Sequence, residues 1–293
     1  MTSERRHLLA TVALAYAGAL AAALATSVAF AGEHPLLVTG VADAVATLLV
    51  FAASARHDNS SIYDPYWSVA PVPIVVAWLA LAQPGASSAR GALATALVLV
   101  WAARLTWNCL DRWRSLAHED FRYREIRART GRGYWAASLF AIHLLPTTWV
   151  FLGLLPLFPA LALPSRPLGW LDAAAVLLTG GAVLLEALAD AQLRRYRAAG
   201  RGEAAATLET GLWAVSRHPN YLGEVLFWWG LWLFGVAADP AWWWTVAGPL
   251  VITALFTFVS APWMDRHLEA RHPGWRERRA QVPALWPHPV RRA

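Results

Sequence analysis

The chain of 293 residues has no lysine, one cysteine, two methionines and only 15% charged side chains. Soluble domains carry roughly 25% charged residues, so this shortage excludes an ordinary water-facing globular surface. The lone Cys109 excludes an intramolecular disulfide framework and any multi-cysteine metal site. Familiar catalytic fingerprints are missing too. No G-x-S-x-G surrounds Ser216, and no H-E-x-x-H occurs among the nine histidines, of which His218, His267 and His272 are the nearest metal candidates; no metal is expected. Gly200, Gly202 and Ala205 fit a loose G-x-G-x-x-A spacing, but no strand precedes them, which excludes a soluble dinucleotide fold.

What is present is apolar. Hydrophobic residues make up 57% of the chain, with 18 tryptophans and a mean hydropathy of +0.39. About 20 apolar residues cross the hydrocarbon layer as a helix. The runs predict eight spans: Leu8 to Ala31, Leu36 to Ala55, Tyr66 to Ala82, Ala92 to Leu110, Trp135 to Ala160, Leu168 to Ala189, Tyr221 to Ala237 and Trp242 to Ala261. The expected fold is therefore an all-α, polytopic transmembrane bundle. It forms one integral domain over 1–293, with N-terminal helices from Leu8 to Ala55 and a core from Tyr66 to Ala293. Ala29, Phe30 and Ala31 resemble a cleavage site, but the preceding apolar stretch is too long for a signal core, so the first span is expected to be retained.

Arginine supplies all 25 basic residues, which makes orientation readable from one residue type. With the N-terminus inside, alternation of eight spans places 22 arginines on the inner side, Arg90 and Arg166 outside, and Arg104 within a span. Both termini are thus expected in the cytoplasm, of a bacterial inner membrane. The net charge of +6 points to membrane phosphates and anionic ligands, not to nucleic acid, because it is spread over membrane-flanking loops.

Two inner segments are long and polar. In 111–134, Asp120, Arg124 and Arg127 have helical spacing, which predicts an amphipathic helix on the membrane surface. In 190–220, Asp190, Arg194 and Arg197 share one helix face, extending the sixth span into water. Arg217, His218, Asn220, Tyr221 and Glu224 follow immediately, against an apolar run holding three tryptophans. Guanidinium groups suit phosphate or carboxylate, while Asn, Tyr and Glu suit amide and ribose hydroxyls, so a nucleotide-bearing cofactor fits this mixture. Two acids lie at or within spans. Asp43 is expected to snorkel to the outer surface; Asp64, flanked by Tyr63, Tyr66 and Trp67, is either a helix cap before Pro65 or a protonated donor held by desolvation. His143 reads as a hydrogen-bonded core residue.

The stretch GLWAVSRHPNYLGEVLFWWG resembles the signature of the steroid 5-alpha-reductase superfamily, in its bacterial branch catalogued as a domain of unknown function, and the likeness runs over about four fifths of the chain from NSSIYDPYW to WRERRAQVP. The resemblance implies a helical membrane enzyme that uses NADPH to saturate a carbon–carbon double bond conjugated to a carbonyl in a steroid-like, isoprenoid or other lipid. It implies cofactor contacts at Asp190, Arg197, Asn220 and Glu224, and at Arg278 or Arg279, with Arg194 added to the phosphate clamp and Arg217, His218 and Tyr221 belonging to the motif. Departures appear at three positions. Asp64 stands where the superfamily has glutamate, Trp101 stands for its substrate-holding tyrosine, with Tyr63 or Tyr66 able to substitute, and Glu186 stands for an asparagine. Trp67, Trp101, Trp228 and Trp229 are expected beside the substrate.

The R-H-P-N-Y element is also similar to that of membrane methyltransferases related to the isoprenylcysteine and phospholipid enzymes, which implies S-adenosylmethionine as the alternative cofactor. A non-enzymatic lipid-binding membrane protein is the third reading.

Overall fold

The computed structural model describes residues 2–200 and 208–287; Gly202 and Ala205 of the loose glycine spacing lie outside them. Among the described residues every regular element is helical, and seven helices are long and apolar enough to cross a membrane. The chain divides into two compact units, 1–165 and 166–293.

In the first unit, local signals start each long helix. Thr2 caps α1 (Ser3–Ala29), Pro35 occupies the first turn of α2 (Pro35–Arg56), and Ser87 caps α5 (Ser88–Arg112). Leu8, Val12 and Ala19 of α1 pack with Ala46 and Val50 of α2, and the Tyr16 hydroxyl donates to the Ile62 carbonyl at 2.7 Å. The first expected span is thus part of this unit's core. Large side chains elsewhere face outward: Leu14, Val28 and Trp107 remain about as exposed as surface residues of a soluble protein, which in a bilayer is contact with lipid.

The third expected span differs. Pro71 divides it into α3 (Tyr66–Val69) and α4 (Pro71–Ala80), because proline has no N–H and its ring clashes with the preceding turn. Helices of 4 and 10 residues together reach roughly 21 Å, short of the hydrocarbon thickness. The segment nevertheless traverses the unit. At one end Asn59 donates to the carbonyls of Leu116 and His118, just beyond α5; at the other the Trp78 indole N–H reaches Thr39 at the start of α2, and the Gln83 N–H reaches the Ala162 carbonyl. The arginine-bearing ends of α1, α2 and α5 accordingly lie together, with an Arg5 N–H donating to the Leu110 carbonyl.

The inner segment 111–134 holds the expected helix, but its arginines do not all face outward. Asp120 caps α6 (Phe121–Thr130), Gly131 at φ +52° ends it, and after a tight turn helix resumes as α7 (Tyr134–Ala137) and α8 (Leu145–Leu154). Arg127 turns back onto Asp58 and Glu119 at 2.8 and 3.3 Å rather than outward to lipid phosphate. Between α7 and α8, residues Ser138–Leu144 form a widened turn with i to i+5 bonding. Pro146 follows, and widening accommodates the carbonyl its ring would strike. Short α9 (Leu157–Leu161) closes the unit.

The second unit is built on α10 (Trp170–Ala198) and α11 (Pro219–Ala238). As expected, α10 carries DAQLRRYR as its own extension. A Cβ at Gly230 would meet the Thr179 backbone nitrogen and Cα at 2.9 and 3.0 Å, and one at Gly223 would strike the Glu186 side chain. These two glycines, one heptad apart, let the helices approach backbone to backbone, as small residues do in lipid. The chain continues through α12 (Ala247–Ala254), a second widened turn at Leu255–Ser260 before Pro262, α13 (Ala261–Glu269) and α14 (Trp275–Gln281).

Candidate functional site

The signature stretch is first of all a clasp. Gly211 adopts φ +62°, a left-handed conformation suited to glycine, and lies close against Gln192. The Gln192 side-chain amide oxygen, Oε1, then accepts from the Leu212 N–H at 3.0 Å, and the Trp213 indole N–H donates to the Ala189 backbone carbonyl at 3.0 Å. Both contacts dock the segment onto the end of α10. Next, Arg217 and His218 donate their backbone N–H groups to the carbonyls of Pro283 and Ala284, and the Ser216 hydroxyl donates to Ala284 at 3.0 Å. Pro219 opens α11 at the position where a missing N–H costs nothing.

Arg217 fastens this joint. Its guanidinium forks onto Asp265 of α13, with nitrogen–oxygen distances of 2.7 and 3.3 Å, and donates to the carbonyls of Arg279, at 3.0 Å, and Val282. The other side of the Asp265 carboxylate is taken by His218 Nε2 at 2.8 Å, and all three side chains are buried. Arg278 is also buried, donating to the carbonyls of Leu208 and Trp213 at 2.8 and 2.5 Å, with Glu209 at 3.4 Å. Burial pushes its guanidinium below the usual arginine range, the Glu209 charge opposing. Arg279 stays at the surface, 3.5 Å from Glu269. Sequence reasoning placed Arg217, His218 and Arg278 against the cofactor; the structure engages them with Asp265 and with backbone carbonyls. Asp265 itself was missed, because it lies just past the apolar run ending at Ala261, among the charged residues Arg266 and Glu269, where an acid reads as solvated.

The remaining polar residues of the motif lie beside this clasp. Asn220 and Tyr221 are half-buried in the first turn of α11, the Tyr221 ring stacking on His218 at 5.1 Å, and Glu224 is buried one turn on. Glu186 on α10 is buried against Gly223, one turn before half-buried Asp190, and the surface arginines Arg194 and Arg197 follow on the same helix. The α10–α11 pair therefore presents acids and amides near the membrane and guanidinium groups beyond it. Of the four expected substrate tryptophans, Trp101 and Trp228 are fully buried, and the Trp229 indole N–H donates to Thr253 at 3.0 Å.

Asp64 and Tyr66 belong to the first unit, with Trp101 on α5. Asp64 does not cap a helix: its side chain receives the Tyr123 hydroxyl. Burial, reinforced by the Asp120 charge and opposed by Arg122, raises its carboxyl to about 7, so much of it is protonated near neutrality. Tyr66 points elsewhere, its hydroxyl 3.4 Å from Asp43. Asp43, expected to snorkel outward, is 5% exposed and packed inside the unit. Tyr123 was not foreseen, since partners 59 residues apart leave no local trace.

Comparison with known proteins adds the following. An uncharacterized protein of Schizosaccharomyces pombe, C594.04c, is 29% identical over 236 residues, covering 71% of this chain and 67% of the relative. No solved structure gives a significant match. The profile of the family described as "Protein of unknown function (DUF1295)" matches residues 50–282, a region that contains both sides of the Arg217 clasp, and the chain belongs to that family.

Proposed function

We propose that this protein is a membrane-embedded, NADPH-dependent reductase that saturates a carbon–carbon double bond conjugated to a carbonyl in a lipid or steroid-like substrate, with both termini and the arginine-rich loops on the cytoplasmic side of a bacterial inner membrane. The observation that carries this reading is the α10–α11 head, where Arg194 and Arg197 stand beyond Asp190, Asn220, Tyr221 and Glu224 on helices held in register by the clasp. These residues fit a nucleotide bearing several phosphates. Arg194, Arg197 and surface Arg279 would hold the phosphates, and Asn220 and Glu224 would orient the amide end. Arg217, His218, Arg278 and Glu186 support that frame from within. NADPH, when bound, supplies the hydride. In the first unit Asp64, whose burial favours the protonated form, is the group suited to donate a hydrogen bond to a carbonyl where negative charge develops on oxygen.

S-adenosylmethionine, the alternative, carries a sulfonium and one carboxylate, which calls for fewer guanidinium groups than two arginines on one face supply. Titration of the purified protein in lipid nanodiscs, followed by tryptophan fluorescence, tests the choice. NADPH is expected to saturate the signal, and replacing Arg194 and Arg197 together by alanine to weaken it ~10-fold or more, since each hydrogen bond to a charged group contributes ~1.5–3 kcal/mol. Saturation by S-adenosylmethionine alone transfers the protein to the methyltransferases. Response to neither, with Glu224→Gln plus Asn220→Ala leaving cellular function intact, identifies a lipid-binding protein without catalysis.

A further inference from the structure

A line of buried hydroxyls joins the surface of the first unit to a buried imidazole packed against the last turn of α2. It begins at a cavity of about 330 Å³ lined by Asp58, His118, Glu119, Arg124 and Arg127. From Glu119 the contacts run to the Tyr134 hydroxyl at 3.0 Å, on to Ser60 at 2.6 Å, and on to Ser138 at 2.8 Å. His143 follows, its Nδ1 2.9 Å from the Ser138 carbonyl and 3.4 Å from the Ser138 hydroxyl, with Ser54 3.1 Å from its Nε2. Ser54, Ser60, Tyr134, Ser138 and His143 are all at most 2% exposed. The widened turn at Ser138–Leu144 sets Ser138 and His143 on one helix face.

The direction of every proton in this line follows from its ends. A carboxylate can only accept, so Tyr134 donates to Glu119. Its oxygen must then accept from Ser60, and Ser60, having one proton, must accept from Ser138. The Ser138 carbonyl has no proton, so His143 Nδ1 carries one. Nε2 is left unprotonated, with the single proton of the Ser54 hydroxyl shared between it and the Val50 carbonyl, which lies 3.0 Å from Ser54. The three hydroxyl donors Ser138, Ser60 and Tyr134 therefore point towards Glu119, an arrangement in which each bond polarises the next, and the Nδ1–H is shared between the Ser138 carbonyl at 2.9 Å and the Ser138 hydroxyl at 3.4 Å. Arg127 holds the far end, ion-paired with Glu119 and lying 3.9 Å over the Tyr134 ring.

We propose that this line is a proton-transfer path between the Glu119 cavity and the membrane-buried His143. One proton enters the imidazole at Nε2, the Nδ1–H passes to Ser138, and each hydroxyl hands its own proton on until Glu119 is protonated. At every step one O–H or N–H bond forms as another breaks; one proton is moved in total and no electron. Rotation of the hydroxyls restores the line, and the reverse order carries a proton from Glu119 inward. Apolar residues of similar size would pack these helices without the cost of buried hydroxyls, and ionisable residues at this depth are characteristic of proton relays.

The test is hydrogen–deuterium exchange at the His143 ring, observed by NMR on full-length protein with 15N-labelled histidine in nanodiscs, the resonance being assigned through His143→Gln. Tyr134→Phe removes a single oxygen from the path and is expected to slow exchange of the Nδ1 hydrogen at least 10-fold; Ser60→Ala, a second interruption, should do the same if Tyr134→Phe fails to fold. Exchange that is unchanged or faster in folded variants means that deuterium reaches His143 by opening of the helices, and the hydroxyls are then only packing contacts. That result overturns the proposal.

Discussion

Asp265→Ala isolates the Arg217 clasp. In the wild type the carboxylate accepts two contacts from Arg217 and one from His218, and it is 2% exposed. Truncation leaves the Arg217 guanidinium, itself 6% exposed, with backbone carbonyls and no counter-charge. Breaking a buried pair from one side costs ~3–5 kcal/mol, whereas replacing both partners by apolar residues is often close to neutral. At ~2–4 °C per kcal/mol, Asp265→Ala should lower the melting temperature by ~10 °C. Circular dichroism at 222 nm on detergent-solubilised protein reads this directly. The companion variant, Arg217→Met with Asp265→Leu, should recover more than half of the loss, because no charge then stays buried without a partner. Two results contradict the reasoning: a shift below ~2 °C for Asp265→Ala, or a double variant less stable than the single one. Either would mean that water reaches the pair.

Gly230→Ala should destabilise by ~1–3 kcal/mol through overpacking, and Thr179→Ala should rescue it only in part, because the new methyl also meets Thr179 backbone atoms; thermal melts of the two variants and their combination check this. For Asp64, whose carboxyl is raised above its unfolded value, the folded state binds the extra proton between about pH 4 and 7, so its contribution to stability is largest at low pH and falls as pH rises through that window. The pH dependence of the melting temperature should therefore be flatter in Asp64→Asn, and equal slopes in the two proteins would show that the carboxyl is not displaced.

Much of the architecture was legible in the chain. Apolar runs long enough to cross a bilayer identify their helices without knowledge of neighbours, since in lipid each helix satisfies its own backbone. Extension of α10 through Arg197 was equally visible, as was the burial of His143. Pro71 defeated the length argument at the third span, because local chemistry breaks a helix that hydropathy alone would continue. The inward turn of Arg127 onto Asp58 and Glu119 was not legible, because Asp58 lies 69 residues away in the chain.

The candidate site divides in the same way. Spacing along one helix placed Asp190, Arg194 and Arg197 on a common face, and composition marked 217–224 as polar chemistry beside a membrane. Whether a given arginine meets a ligand or the protein's own carbonyls depends on what arrives from far along the chain. Asp265 and the tail at 279–284 come back to Arg217, Tyr123 comes to Asp64, and Ser60 meets Ser138 across 78 residues. Hydropathy and local spacing act on neighbours in sequence and so are written in it. Partner choice for a buried polar group is decided by which helices pack together, because only the assembled interior both removes water and supplies the replacement hydrogen bond.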